Sequence, residues 1–129
     1  MLARALAPLA LMGLIFFLSA QSDPGADIGW LGRILAHAGE YALLTALWAW
    51  ALAPVLGRRA LRAAAVISLA YAVSDEIHQG YVAGRDSDPL DVLVDAAGIA
   101  VACLVVSRTW TRAGRRPRST SPRSDPRPS

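Results

Sequence analysis

Between Tyr71 and Gly98 the chain reads YAVSDEIHQGYVAGRDSDPLDVLVDAAG, a stretch holding Asp75, Glu76, His78, Gln79, Arg85, Asp86, Asp88, Asp91 and Asp95. Six of these are carboxylates, beside one histidine and one arginine, and apolar sequence flanks them on both sides. Carboxylates and imidazoles at helical spacing can pass protons, ligate a metal or grip a charged ligand. Asp75, His78 and Gln79 are three and four residues apart, which places them on one helix face. Asp88, Asp91, Asp95 and Gly98 repeat that spacing on the next segment. Upstream, Arg33, His37, Glu40 and Tyr41 open another apolar segment.

Each chemistry makes its own demand on the pattern. A carboxylate-bridged metal site in a helical bundle uses a carboxylate-x-x-His motif twice, with two further glutamates. Here Asp75-x-x-His78 occurs once and His37-x-x-Glu40 runs in reverse order, so neither a metal nor another cofactor is expected. General acid/base work would fall to Asp75, Glu76 and His78, since carboxylates crowded at one depth repel and are poised to exchange protons. No nucleophile stands out, because Ser74 and Ser87 lack the strand–turn–helix setting of a hydrolase elbow. The same residues could also form a purely structural network, with Arg85 pairing the aspartates. The reading favoured over these is a non-catalytic ligand site built from His37, Glu40, Tyr41, Asp75, Glu76, His78, Gln79, Arg85, Asp91 and Asp95. Arg85 would meet an anionic group of the ligand. Its rivals are a membrane-embedded enzyme and a proton-coupled transporter, the latter on a thin scaffold of four short helices without a repeat.

The elements that must hold these residues are apolar. The 129 residues leave room for one domain, are 54% hydrophobic and have positive mean hydropathy. Runs near bilayer length point to an all-α, four-transmembrane-helix membrane bundle over residues 1–107. Helices are expected at about 4–20, 31–56, 61–80 and 89–107, followed by a disordered Arg/Pro/Ser-rich tail over 108–129. A cleaved signal peptide competes for the first segment, but Leu18 occupies a site where a cut after Ala20 wants a small residue. Pro89 after Asp88 is a good helix entry. Trp48 and Trp50 read as packing or lipid-facing residues, Gly98 as a close helix approach, and Cys103 as an inert core residue. All thirteen basic residues are arginine. The basic tail could hold anionic lipid, and no folded reader of nucleic acid accompanies it.

Four helices put the N-terminus, GRRALR (57–62) and the tail on one side, together with Arg4, Arg58, Arg59, Arg62 and the seven arginines after Ser107. Only Arg33 and Arg85 lie on the other side. The positive-inside rule then makes both termini cytoplasmic. With 1.5 Å of rise per residue, Asp75 and Asp95 stand roughly 20 Å from the inner arginines, and His37, Glu40, His78 and Asp91 roughly 24–31 Å. The hydrocarbon core is about 30 Å thick. Three helices thus carry polar groups into the same outer slab, which points to one shared site near the outer face.

Ser74-Asp75-Glu76-Ile77-His78-Gln79, Gly84-Arg85, Asp91-Val92-Leu93, Asp95 and Gly98 resemble, in order, the signature of VanZ-like membrane proteins. Phe17-Leu18-Ser19-Ala20-Gln21 is similar to the end of that family's first helix, and His37 with Tyr41 to the opening of its second. Asp95 departs from the Asn of many members, and Ala83-Gly84 from a common Pro-Gly. The resemblance spans roughly residues 14 to 105. It implies a multi-pass protein of the bacterial cytoplasmic membrane, in a family whose founding member is associated with resistance to teicoplanin, a lipid-bearing glycopeptide. The partners it suggests are the bilayer and a lipid-linked or glycopeptide ligand, with self-association allowed and no nucleic acid. It supplies no mechanism.

Overall fold

The computed structural model describes residues 2–21, 29–84 and 87–113. Every regular element among them is helical: α1 (Leu2–Ser19), α2 (Gly29–Leu56), α3 (Ala60–Gln79) and α4 (Pro89–Ala113). A single 3₁₀ turn, Gly57–Arg59, joins α2 to α3. Gly57 takes φ 53° there, a left-handed conformation that costs glycine little and lets the chain reverse in three residues. The expected basic loop is therefore shorter than the GRRALR segment, with Leu61 and Arg62 already inside α3.

The last helix is longer than its apolar run. It continues past Ser107 to Ala113, where the hydroxyls of Ser107, Thr109 and Thr111 donate back to carbonyls three or four residues earlier. Arg108 and Arg112 are good helix formers, so the polar end need not unwind where apolarity stops. The tail expected from residue 108 thus begins no earlier than 114, and residues 114–129, like Arg85, lie outside the described residues.

α2 is the central helix, packed against all three others, whereas α1 and α4 do not meet. Three pairings rise in step along α2 and α4, namely Arg33 with Asp91, His37 with Asp95 and Ala38 with Gly98. The two helices therefore run parallel. Arg4 lies over the Trp50 ring, 4.9 Å from its centre, which sets the start of α1 beside the end of α2. Arg4, Arg58, Arg59, Arg62, Arg108 and Arg112 consequently gather at one end of the bundle. Arg33 is the one described arginine at the other end.

Close packing comes from small side chains. Ala60, Ala64, Ser68 and Ala72 repeat every fourth residue on α3 and are all buried, a ridge that lets helix backbones approach. Tyr41, Leu44, Ala72, Ile99 and Ile15 form the apolar centre. Much of the outside is apolar, and several polar groups lie inside. Leu6, Leu9, Leu35, Leu43, Val66, Ile77, Leu93, Val101 and Leu104 are exposed, while Asp75, Gln79 and Asp95 are buried. Buried polar groups beneath an apolar surface reverse the arrangement of a water-soluble domain.

Two helical stretches, Gly29–Gln79 and Pro89–Arg112, are long and apolar enough to cross a membrane, and Ala3–Ser19 is a shorter apolar helix. Only 28% and 22% of their most apolar windows is buried, which argues against core helices of a soluble protein.

Gly98 marks a close approach of α4 to α2. A Cβ there would collide with the backbone of Ala38, including its carbonyl oxygen, whereas one at Gly13 or Gly39 would meet nothing. Gly98→Ala should destabilise the fold by about 1–3 kcal/mol, the usual cost of overpacking. Thermal unfolding of the purified protein checks this, with Gly13→Ala and Gly39→Ala expected to match wild type.

Candidate functional site

The polar residues singled out by spacing fall into two pairings that share one interior. The first joins α3 to α1. Asp75 is 6% exposed and accepts at both oxygens, from Ser19 Oγ on Oδ1 at 2.6 Å and from Gln79 Nε2 on Oδ2 at 3.0 Å. Ser19 also has the Phe16 carbonyl within reach at 3.1 Å, but a hydroxyl has one proton and the short contact to the carboxylate is the stronger bond. Gln79 stands four residues from Asp75, so the helical repeat itself supplies this donor. One turn deeper, Tyr71 donates its hydroxyl to the Met12 carbonyl at 2.6 Å. The His78 ring stacks on Phe16 with centroids 4.4 Å apart.

The second pairing joins α2 to α4. His37 Nδ1 lies 3.1 Å from Asp95 Oδ1, and Asp95 is 3% exposed. His37 Nε2 is 4.0 Å from Asp91 Oδ2, too long for a hydrogen bond but close enough for charge to matter. Arg33 Nη2 reaches the same oxygen of Asp91 at 3.5 Å. Because 33 and 37, like 91 and 95, are four apart on parallel helices, one register satisfies both pairs.

Tyr41 connects the two. Its ring is 1% exposed, tilted beside Tyr71 with centroids 6.4 Å apart, and near enough to Asp75 and Asp95 for both charges to act on it. Glu76 is buried and within electrostatic reach of Asp91, His37 and Asp95. Glu40 lies half-buried beside His37. Eight of the ten residues expected at the site are therefore linked, by hydrogen bonds or electrostatic reach, near the end of the bundle opposite the arginine-rich end, and the ninth, His78, is placed by its stack on Phe16. The tenth, Arg85, lies outside the described residues.

Three buried polar atoms here have no hydrogen-bond partner among the described residues: Tyr41 Oη, Glu76 Oε1 and His78 Nε2. Buried polar atoms are nearly always satisfied, so such a group is a place where another donor or acceptor fits. No group of three or more His, Cys, Asp or Glu side chains converges as metal ligands would, among the described residues. A cleft of about 410 Å³ opens on the α2–α4 flank of this cluster, lined by Arg33, Asp88 and Asp91 among apolar residues.

Spacing alone missed Ser19, Arg33 and Tyr71 as partners. In the sequence Ser19 figures only at the end of the first apolar segment, Arg33 only among the residues that open the second, and Tyr71 only as the start of the polar stretch. Their roles depend on which helices adjoin, which no single helical period encodes.

A family model described as VanZ/LLP1 matches residues 5–110, all four helices and the whole cluster. The chain belongs to the VanZ/LLP1 family. No curated protein and no solved structure matches it.

The His37–Asp95 pair gives this VanZ-family bundle a sharp test. His37→Ala strands a buried carboxylate and should cost about 3–5 kcal/mol. Asp95→Asn keeps an acceptor for the ring nitrogen and should cost about 1 kcal/mol. Denaturant or thermal unfolding of the purified variants reads the difference; equal losses would mean that the pair does not bear on the packing of α2 against α4.

Proposed function

We propose that this VanZ-family protein is a multi-pass protein of the bacterial cytoplasmic membrane with four transmembrane helices. It acts without catalysis, as an envelope factor that lowers sensitivity to lipid-bearing glycopeptides such as teicoplanin. The observation that carries a ligand-holding role is the set of buried Tyr41, Asp75, Glu76 and Asp95 with half-buried His37 and His78, among which three polar atoms have no partner within the described residues. Ionisable residues inside an apolar bundle mark function by default. The glycopeptide itself comes from the family resemblance. Orientation rests on the arginines, which gather at one end and in the tail and so favour cytoplasmic termini.

The unpartnered His78 Nε2 and Glu76 Oε1 also favour a second reading, a membrane-embedded enzyme or proton-coupled transporter acting on an envelope lipid or cell-wall precursor. Asp75, Glu76 and His78 would then carry the proton transfers.

Asp75→Asn preserves shape and an acceptor, and His78→Ala removes only a ring stacked at the rim of the cluster. Both variants should accumulate in the membrane at near wild-type levels while cells expressing them lose protection against teicoplanin. If wild-type protein gives no protection, the antibiotic reading fails. If the variants vanish from the membrane, the cluster is structural and not a working site.

Topology has its own test. In a Cys103→Ala background, cysteines placed at Arg58 and at Ser119 should be blocked only by reagents that enter the cytoplasm. A cysteine at Ser22 should react from outside in intact cells.

A further inference from the structure

The cleft on the α2–α4 flank is lined by Trp30, Arg33, Ile34, Asp88, Leu90, Asp91, Leu93, Val94 and Ala97 and has a volume of about 410 Å³. Its chemistry is graded along the helices. Trp30, Arg33, Asp88 and Asp91 stand toward the helix starts, and Ile34, Leu93, Val94 and Ala97 deeper. Leu90 and Leu93 are 63% and 65% exposed, so the apolar wall opens sideways.

The charges are matched to a particular head. Arg33 contacts Asp91 through one nitrogen at 3.5 Å, while 63% of its side chain remains exposed. A guanidinium fork so placed can still take a phosphate oxygen pair. Asp88 caps α4 by accepting the Leu90 N–H at Oδ1, 2.9 Å away. Among the described residues, with Arg33 offset by Asp91, the Asp88 carboxylate leaves the cleft lining with one net negative charge. Behind it the buried Glu76 adds another carboxylate. An anion alone would be repelled there, and a simple cation would leave Arg33 unused. Trp30, 76% exposed, supplies an indole face of the kind that holds both cations and the membrane interface.

We propose that this cleft binds a zwitterionic phospholipid of the outer leaflet, its amine on Asp88 beside Trp30, its phosphate on Arg33 and an acyl chain along Leu93, Val94 and Ala97. This deepens the membrane-embedded reading above and rests on it. It also assigns to Arg33 the anion contact expected of Arg85.

The test uses the full chain purified in mild detergent and equilibrated with mixed vesicles of equal phosphatidylethanolamine and phosphatidylglycerol, with retained lipid counted by native mass spectrometry. Wild type should retain phosphatidylethanolamine over phosphatidylglycerol by roughly three- to tenfold, the range that the net contribution of one solvent-accessible hydrogen bond supports. Asp88→Asn keeps a good helix cap and removes the charge, so it should lose the preference but still hold phospholipid. Arg33→Gln should reduce retention of both lipids. Ala97→Trp should block retention by filling the deep end. The assignment is overturned if wild-type lipid mirrors the vesicle composition, or if the preference survives both Asp88→Asn and Arg33→Gln. A lipid-free dimer that Ala97→Trp breaks would also overturn it, by giving the face to a second copy. Failure of the membrane reading is distinguishable, since wild-type protein would then be absent from the membrane fraction, whatever lipid it retained.

Discussion

A carboxylate enclosed by an apolar bundle must find a donor, and the helices stand where Asp75 and Asp95 find theirs. Leaving such a group unpaired costs several kcal/mol, more than any one apolar contact returns. Asp95 finds His37 across the α2–α4 seam, and Asp75 finds Ser19 across the α1–α3 seam. These two bonds fix the register of both helix pairs. Gly98 follows from the first, because an Asp95–His37 contact one turn away brings the backbone of Ala38 against that of α4, where no Cβ fits. The alanine and serine ridge of α3 does the corresponding work against its neighbours.

The four helices were legible because their signals are local. Apolar runs of bilayer length, Pro89 after Asp88 and the basic GRRALR segment set most element ends to within a few residues. The end of α4 was not, since the threonine and serine hydroxyls that extend it to Ala113 resemble loop chemistry until they are seen bonding back to the helix. Helical rise also gathers the polar residues toward one end of the bundle, where eight of the ten expected site residues are linked to one another. Their partners were not. Spacing assigns faces within a helix, but Ser19 to Asp75 and Arg33 to Asp91 are contacts between helices whose adjacency depends on the whole bundle. Arg33 is absent from the expected site residues, while Arg85, expected to meet an anionic group, lies outside the described residues.

The cluster is asymmetric in how firmly its halves are held. On the α2–α4 side two ladders of charge, Arg33 with Asp91 and His37 with Asp95, reinforce a close backbone crossing. On the α1–α3 side the links are single bonds, Ser19 to Asp75 and Tyr71 to the Met12 carbonyl, with the Phe16–His78 stack between them in the sequence of α1. α1 makes no contact with α4. The α1–α3 seam therefore depends on few groups, most of them in the same polar layer as the unpartnered atoms, and α1 is otherwise held by its packing on α2.

That layout bears on why the unpartnered atoms are tolerated. Tyr41 lies between Asp75 and Asp95, each already held by donors of its own, so neither is compelled to turn toward the phenol. Glu76 and His78 stand on the same helix as Asp75 but are not paired with each other or with it. If the cluster served register alone, two bonded carboxylates would suffice, and apolar side chains at 41, 76 and 78 would be cheaper to bury. Retaining a phenol, a carboxylate and an imidazole with spare hydrogen-bonding capacity is hard to account for by packing. The ligand site proposed above would supply those partners.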